Sequence, residues 1–143
     1  GGRDTPSPGL EMTASWSAGE FERMGLVRAG DDGSYVQRYV IGTVGPDQFR
    51  QSVSAPNVAG ILEGSDPLLK EEYVVFSAHM DHVGIGTPNA KVRIFNGADD
   101  DGSGTTAVLE IADAYASLAT KPKRSMIFLL LSGQANGLCG SAH

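Results

Sequence analysis

The stretch Ser125-Met126-Ile127-Phe128-Leu129-Leu130-Leu131 sets the tightest limit on what this chain can fold into. It is a continuous apolar run of strand length, without the alternation of a strand that shows one face to water. Such a strand has to be covered on both faces, which calls for a sheet with helices packed on it. Ser103 to Ala119 supplies the clearest helix, with Val108, Ile111, Ala112, Tyr115 and Leu118 at helical spacing and Lys121-Pro122 closing the segment. A shorter helix is expected from Met12 to Leu26, ended by Gly25 and the turn-rich stretch Ala29 to Gly33. Tyr35 to Val44, Asn57 to Leu62 and Tyr73 to Ala78 read as further strands, with Gly64-Ser65-Asp66-Pro67 turning between the last two. Strand, helix, strand in that order implies a right-handed crossover and a partly parallel α/β sheet.

Ligand sites in such sheets lie beyond the carboxyl ends of the strands. Two polar clusters obey this rule: His79-Met80-Asp81-His82 follows Tyr73 to Ala78, and Gly133-Gln134-Ala135-Asn136 follows the apolar run. Residues Gly1 to Gly9, with two prolines and three glycines, read as mobile, so residues 1–14 are expected to be a flexible leader to a domain at 15–143.

Charge and cysteine content remove several classes of function. Seventeen Asp and Glu against eleven Lys and Arg give a net charge of -6, the wrong sign for counterion-release binding of nucleic acid. The one cysteine, Cys139, excludes an internal disulfide and a thiolate zinc cluster. No apolar run reaches the roughly 18 to 20 residues of a membrane span, and the N-terminal residues lack a signal-peptide core.

His79 and Asp81 stand two apart at a strand end, so a bend there could bring carboxylate and imidazole together, the arrangement that steadies a metal-bound histidine. Asn96-Gly97-Ala98-Asp99-Asp100-Asp101-Gly102-Ser103-Gly104 puts three carboxylates before a helix start. Capping by Asp101 or Ser103 accounts for one, and the crowding of three leaves two readings open, a cap beside solvated charge or a bound cation. An EF-hand loop fits the spacing Asp99, Asp101, Ser103, Gly104, Glu110, but Thr106 stands at its aliphatic position and no helix can enter through Gly84, Gly86, Pro88 and Gly97. A His-x-His-x-Asp-His site of the metallo-β-lactamase type lacks its first histidine, which is Ser77, and only His143 remains elsewhere.

Four blocks in order carry a resemblance over most of the chain from about Phe21: Asn57 to Ser65, Ala78 to Gly84, Asn96 to Gly104, and Gly133 to Ser141. They resemble the co-catalytic di-zinc aminopeptidases, a family that includes bacterial leucyl aminopeptidases, aminopeptidase Y and the glutamate carboxypeptidase II catalytic domain. The resemblance implies a three-layer helix-sheet-helix fold with a mixed, mostly parallel sheet of the zinc exopeptidase type, here truncated to its front part. It also implies peptide substrates, release of an N-terminal residue, and a secreted or periplasmic location. In its terms His79 ligates the first zinc, Asp99 bridges two metals, Asp81 orients His79, and Asp100 follows the bridging residue across a cis peptide.

The chain departs from the family where Gly-Glu-Glu is expected and Gly133-Gln134-Ala135 stands. Gln134 takes the place of the general base and Ala135 that of a second-metal ligand, so weak or partial zinc occupancy and little or no activity are expected. The alternative is a non-catalytic α/β module that binds a partner. Truncation is further expected to leave the strand Ser125 to Leu131 without a neighbour on its far side, favouring self-association or docking.

Overall fold

The computed structural model describes residues 2–44, 50–89, 91 and 93–143. Its elements in chain order are α1 (Pro8–Arg23), β1 (Val27–Arg28), β2 (Val36–Val44), β3 (Arg50–Leu62), β4 (Tyr73–His79), β5 (Gly84–Ile85), β6 (Ile94–Phe95), α2 (Ser103–Ala116), β7 (Ser125–Leu131) and α3 (Cys139–Ala142).

The fold is the expected mixed α/β arrangement. β7 lies inside the main sheet, antiparallel to β3 (Val58 opposite Leu130, Leu62 opposite Met126) and parallel to β4 (Tyr73 opposite Ser125, His79 opposite Leu131). β3 pairs antiparallel with β1 and β2 along its other edge. Among the described strands of this sheet, parallel pairing is confined to β4 and β7, because only that pair is joined through a helix.

The apolar run therefore has a neighbour on both sides, contrary to the expectation that it would form an open edge. Among the described strands an open edge belongs to β4, where Tyr73 (51% exposed) and Val75 (55%) face solvent. β7 needed its unbroken apolar sequence because it is central: Met126, Phe128 and Leu130 enter the main core, and the side chains between them are half-buried on the other face.

α1 and α2 pack on the first face. Leu10, Ala14 and Phe21 from α1 and Val108, Leu109 and Ala112 from α2 meet Val58, Leu62, Met126, Phe128 and Leu130 of the sheet. Gly60 makes this approach possible, since a Cβ there would stand 3.0 Å from both Phe21 and Leu26. The opposite face carries a smaller cluster, Tyr39, Ile41 and Ala55, against which Cys139 at the start of α3 rests.

The N-terminal residues are built into the fold, not the flexible leader expected for 1–14. Helix α1 starts at Pro8, four residues before the sequence reading, because Ser7 accepts a hydrogen bond from the Leu10 amide and Pro8 occupies the first turn, where a missing N–H costs nothing. Gly25, at φ 72°, ends it: Gly25 N–H donates to Glu22 and Leu26 N–H to Phe21, the paired bonds of a Schellman motif. Gly2, Thr5 and Leu10 are all buried.

Candidate metal centre

Parallel pairing of β4 and β7 places their carboxyl ends side by side, and three loops gather there: 79–82 after β4, 96–102 before α2, and 133–137 after β7. Met80 N–H donates to Leu131 O at 2.7 Å, extending the ladder one residue beyond β4.

His79 sits at this junction, its side chain 17% exposed. Its Nδ1 lies 3.1 Å from the Asp81 backbone oxygen and 3.5 Å from Asp81 Oδ1. Both are acceptors, so a proton on Nδ1 is held there. Asp81 is 1% exposed. Its Oδ2 accepts from Thr5 Oγ1 at 2.9 Å and from the Gln134 amide at 3.0 Å, while Oδ1 has no hydrogen-bond partner among the described residues and faces the imidazole. The expected pairing of His79 with Asp81 is thus present in space, and it also draws in the loop after β7.

The carboxylate that meets the other ring nitrogen is Asp100. His79 Nε2 stands 3.1 Å from Asp100 Oδ1, and His82 Nδ1 lies 3.5 Å from Asp100 Oδ2. Asp99, given the bridging role by the resemblance, engages Ser103 through its backbone oxygen, accepting from Ser103 Oγ at 2.9 Å. The cis peptide falls one bond later than expected, between Asp100 and Asp101. Asp101 serves two elements at once. Its Oδ1 accepts from the Gly104 amide at 3.0 Å in the first turn of α2, and its Oδ2 accepts from the His79 amide at 3.1 Å. Thr105 Oγ1, one residue further into α2, donates to His79 O at 3.0 Å.

The loop after β7 is held from beneath. Ser132 Oγ donates to Pro56 O at 2.6 Å, so its single proton is spent there and the Tyr39 hydroxyl donates to it at 2.9 Å. Asn57, 1% exposed, accepts from Ser132 N at 3.1 Å and donates to Gly140 O at 3.0 Å. Gln134 presents its backbone to Asp81 while its side chain is exposed, as is that of Ala135. His143 stacks on Tyr39 with ring centroids 5.6 Å apart.

His82, Thr5 and Arg3 are the contributors that sequence spacing did not single out for this site. His82 was visible as the last residue of its motif, whereas Thr5 and Arg3 lie in a stretch whose composition reads as mobile.

The donor set fits a zinc ion in part. Nε2 is the ring nitrogen turned to Asp100 Oδ1, and an imidazole nitrogen and a carboxylate oxygen so placed suit a shared proton or a shared cation. Ligands about 2.0–2.1 Å from a tetrahedral zinc lie ~3.3 Å apart, close to the spacing seen here. Among the described residues, no three His, Cys, Asp or Glu side chains complete such a site.

Comparison with known proteins bears on the family and the fold. Residues 57–143 match the sequence profile described as Peptidase family M28. A probable zinc metalloprotease of Pyricularia oryzae is 29% identical over 138 residues, which cover 96% of this chain and 26% of that protein. A vacuolar membrane protease of Colletotrichum graminicola is 35% identical over 68 residues, 48% of this chain and 6% of that one. The chain thus spans about a quarter or less of the curated relatives it matches. Among solved structures, a leucine aminopeptidase precursor from Bacteroides thetaiotaomicron superposes with a TM-score of 0.62 at 20% identity, covering 92% of this chain and 41% of the other. Fimbriiglobus ruber glutaminyl cyclase gives 0.64 at 18% identity, covering 92% and 40%. At such identities these two likenesses speak for the fold alone. No helix among the described residues is long and apolar enough to cross a membrane.

Proposed function

Since the chain belongs to peptidase family M28, whose relatives include zinc metalloproteases, we propose that it forms part of a zinc-dependent exopeptidase catalytic domain that releases N-terminal residues from peptides in the whole protein. The observation that carries this reading is the 3.1 Å approach of His79 Nε2 to Asp100 Oδ1, with the far ring nitrogen held by Asp81. His79 and Asp100 would hold the zinc, and Asp99 gives up the ligand role first assigned to it. Bound zinc supplies Lewis-acid polarisation of a scissile carbonyl and a lowered pKa for a coordinated water.

The chain's own groups do the rest. Asp81 keeps the proton on His79 Nδ1, leaving Nε2 free to coordinate, and its tie to the Gln134 amide fixes where the loop after β7 begins. Gln134 stands where the resemblance puts the general base, and a neutral amide takes no proton from water, at a cost on the order of 10² to 10⁴ in rate. Ala135 offers no ligand atom to a second metal. Two ligands also fall short of the three or four that zinc normally takes from protein, so we propose weak zinc binding and little or no turnover by this chain alone. A secreted or periplasmic place of action rests on the resemblance only.

Calorimetric titration with zinc and an aminoacyl-anilide assay test this reading. Weak binding that disappears in His79→Ala, with no turnover above background, is the expected result. Turnover by the purified chain would overturn the roles given to Gln134 and Ala135, and unchanged zinc binding in His79→Ala would overturn the site itself. The exposed apolar residues Tyr73 and Val75 favour a second reading, a module that docks through the β4 edge whether or not it turns over peptides.

A further inference from the structure

We propose that Arg3 and Thr5 are positioning residues that set the distance between the two metal-binding loops, so that zinc affinity depends on the N-terminal segment. The inference rests on the zinc reading above and goes beyond it by adding residues that contact no metal.

The observation is a single short segment that touches all three loops of the site. Arg3 Nε donates to Met80 O at 2.7 Å, in the loop that carries His79 and Asp81. Arg3 Nη1 and Nη2 donate to Asn96 O at 2.7 Å and Gly97 O at 2.9 Å, in the loop that carries Asp100. The Arg3 backbone oxygen accepts from His82 N–H at 2.9 Å. Two residues on, Thr5 Oγ1 donates to Asp81 Oδ2 at 2.9 Å and accepts from Gly133 N–H at 3.2 Å, and Thr5 O accepts from Asn136 Nδ2 at 2.7 Å.

These bonds join residues 76 to 131 positions apart, so neither loop can set this geometry locally. The guanidinium is a rigid planar fork. Donating from one plane to carbonyls of two loops fixes their separation, which a lysine ammonium on a flexible stem cannot do. Asp100 most needs such help: its side chain is 70% exposed and its loop is bounded by Gly97 and Gly102. Without the fork, the Asp100 carboxylate rides on a loop with little packing of its own, the kind that opens readily. Thr5 acts on the other ligand, since it shares Asp81 Oδ2 with the Gln134 amide and so holds the carboxylate that orients His79.

The test uses the full chain and three variants, Arg3→Ala, Arg3→Lys and Thr5→Val. Amide hydrogen exchange is followed at 79–82 and 96–102 with β7 as internal reference, alongside zinc titration by calorimetry. Arg3→Ala is expected to speed exchange in both loops by about tenfold while β7 is unchanged. Zinc affinity should fall by roughly 10- to 100-fold, the usual effect of losing a group that orients metal ligands. Guanidinium ion at sub-denaturing concentration should restore part of the affinity of Arg3→Ala, and Arg3→Lys should fall between wild type and Arg3→Ala. Thr5→Val should weaken zinc binding without speeding exchange at 96–102.

Exchange in both loops that matches wild type in Arg3→Ala would overturn the proposal. So would faster exchange with unchanged zinc affinity. If Arg3→Ala loses protection in β7 as well, the same comparison is made with Arg3→Lys and decides the matter. If the wild-type chain takes up no zinc, the zinc reading fails, and the exchange comparison alone decides whether the segment holds the loops.

Discussion

Asp100 and Asp99 differ by one position and by everything that matters to His79. A bent loop turns successive side chains in different directions, and here it is Asp100 whose carboxylate reaches the imidazole. Asp100→Ala is therefore expected to weaken zinc binding by about tenfold or more, while Asp99→Ala stays close to wild type, as titration of both variants will read out. The sequence announced a carboxylate cluster but not which member would reach the imidazole. That choice depends on where the loop is pinned, and one set of pins comes from Arg3, more than ninety residues away.

Tyr39 shows a second residue-level consequence, this time in pH. Burial pushes its phenol above the ordinary value, so the folded chain keeps a proton that the unfolded chain has already lost. The resulting stabilisation is complete below pH of about 10, the unfolded value, and declines as pH rises through the raised one. Tyr39→Phe should flatten this alkaline decline in stability, at a cost of about 1 kcal/mol near neutrality for the lost bond to Ser132. Denaturant titrations across the alkaline range measure both effects.

At the scale of elements, α2 and β4 share one carboxylate. Asp101 accepts from an amide in the first turn of α2 and from the last residue of β4, so helix start and strand end are one structural unit. Asp101→Ala is expected to lower stability by roughly 1–2 kcal/mol as a lost cap, and to loosen His79 as well. Thermal unfolding gives the first effect and amide exchange at position 79 the second.

Elements whose signal was local were legible in the sequence. β7 matches its apolar run residue for residue, α2 begins at the expected Ser103, and β4 extends one residue beyond the reading to take in His79. β3 is much longer than the Asn57 to Leu62 expectation, because polar residues such as Gln51 and Ser52 break the apolar pattern while pairing with β2 still holds them in the ladder. The N-terminal stretch was misread for a related reason. Pro, Gly and Ser there signal freedom in isolation, whereas in the fold they form a helix start and a set of long-range hydrogen bonds.

Across the whole molecule, the sheet is covered unequally. α1 and α2 together cover one face, while among the described residues the other carries only the four residues of α3, leaving Tyr73 and Val75 exposed beside the half-buried Ile127 and Leu129. β4 adds an unpaired edge among the described strands. Apolar side chains beside free backbone groups invite a further strand, and the occupant expected here is a second copy of the chain. Light scattering over a concentration series should show association that rises with salt as the net charge of -6 is screened. A monodisperse monomer throughout the series would rule this out.

The pairing of Val58 with Leu130, and of β4 with β7, has a consequence for how the chain is made. During synthesis the β2–β3 hairpin can zip as it leaves the ribosome, because its partners are near neighbours. The strand bearing His79 must instead wait for the segment beginning at Ser125, so the carboxyl ends of β4 and β7 that carry the proposed ion site meet only once that segment has emerged.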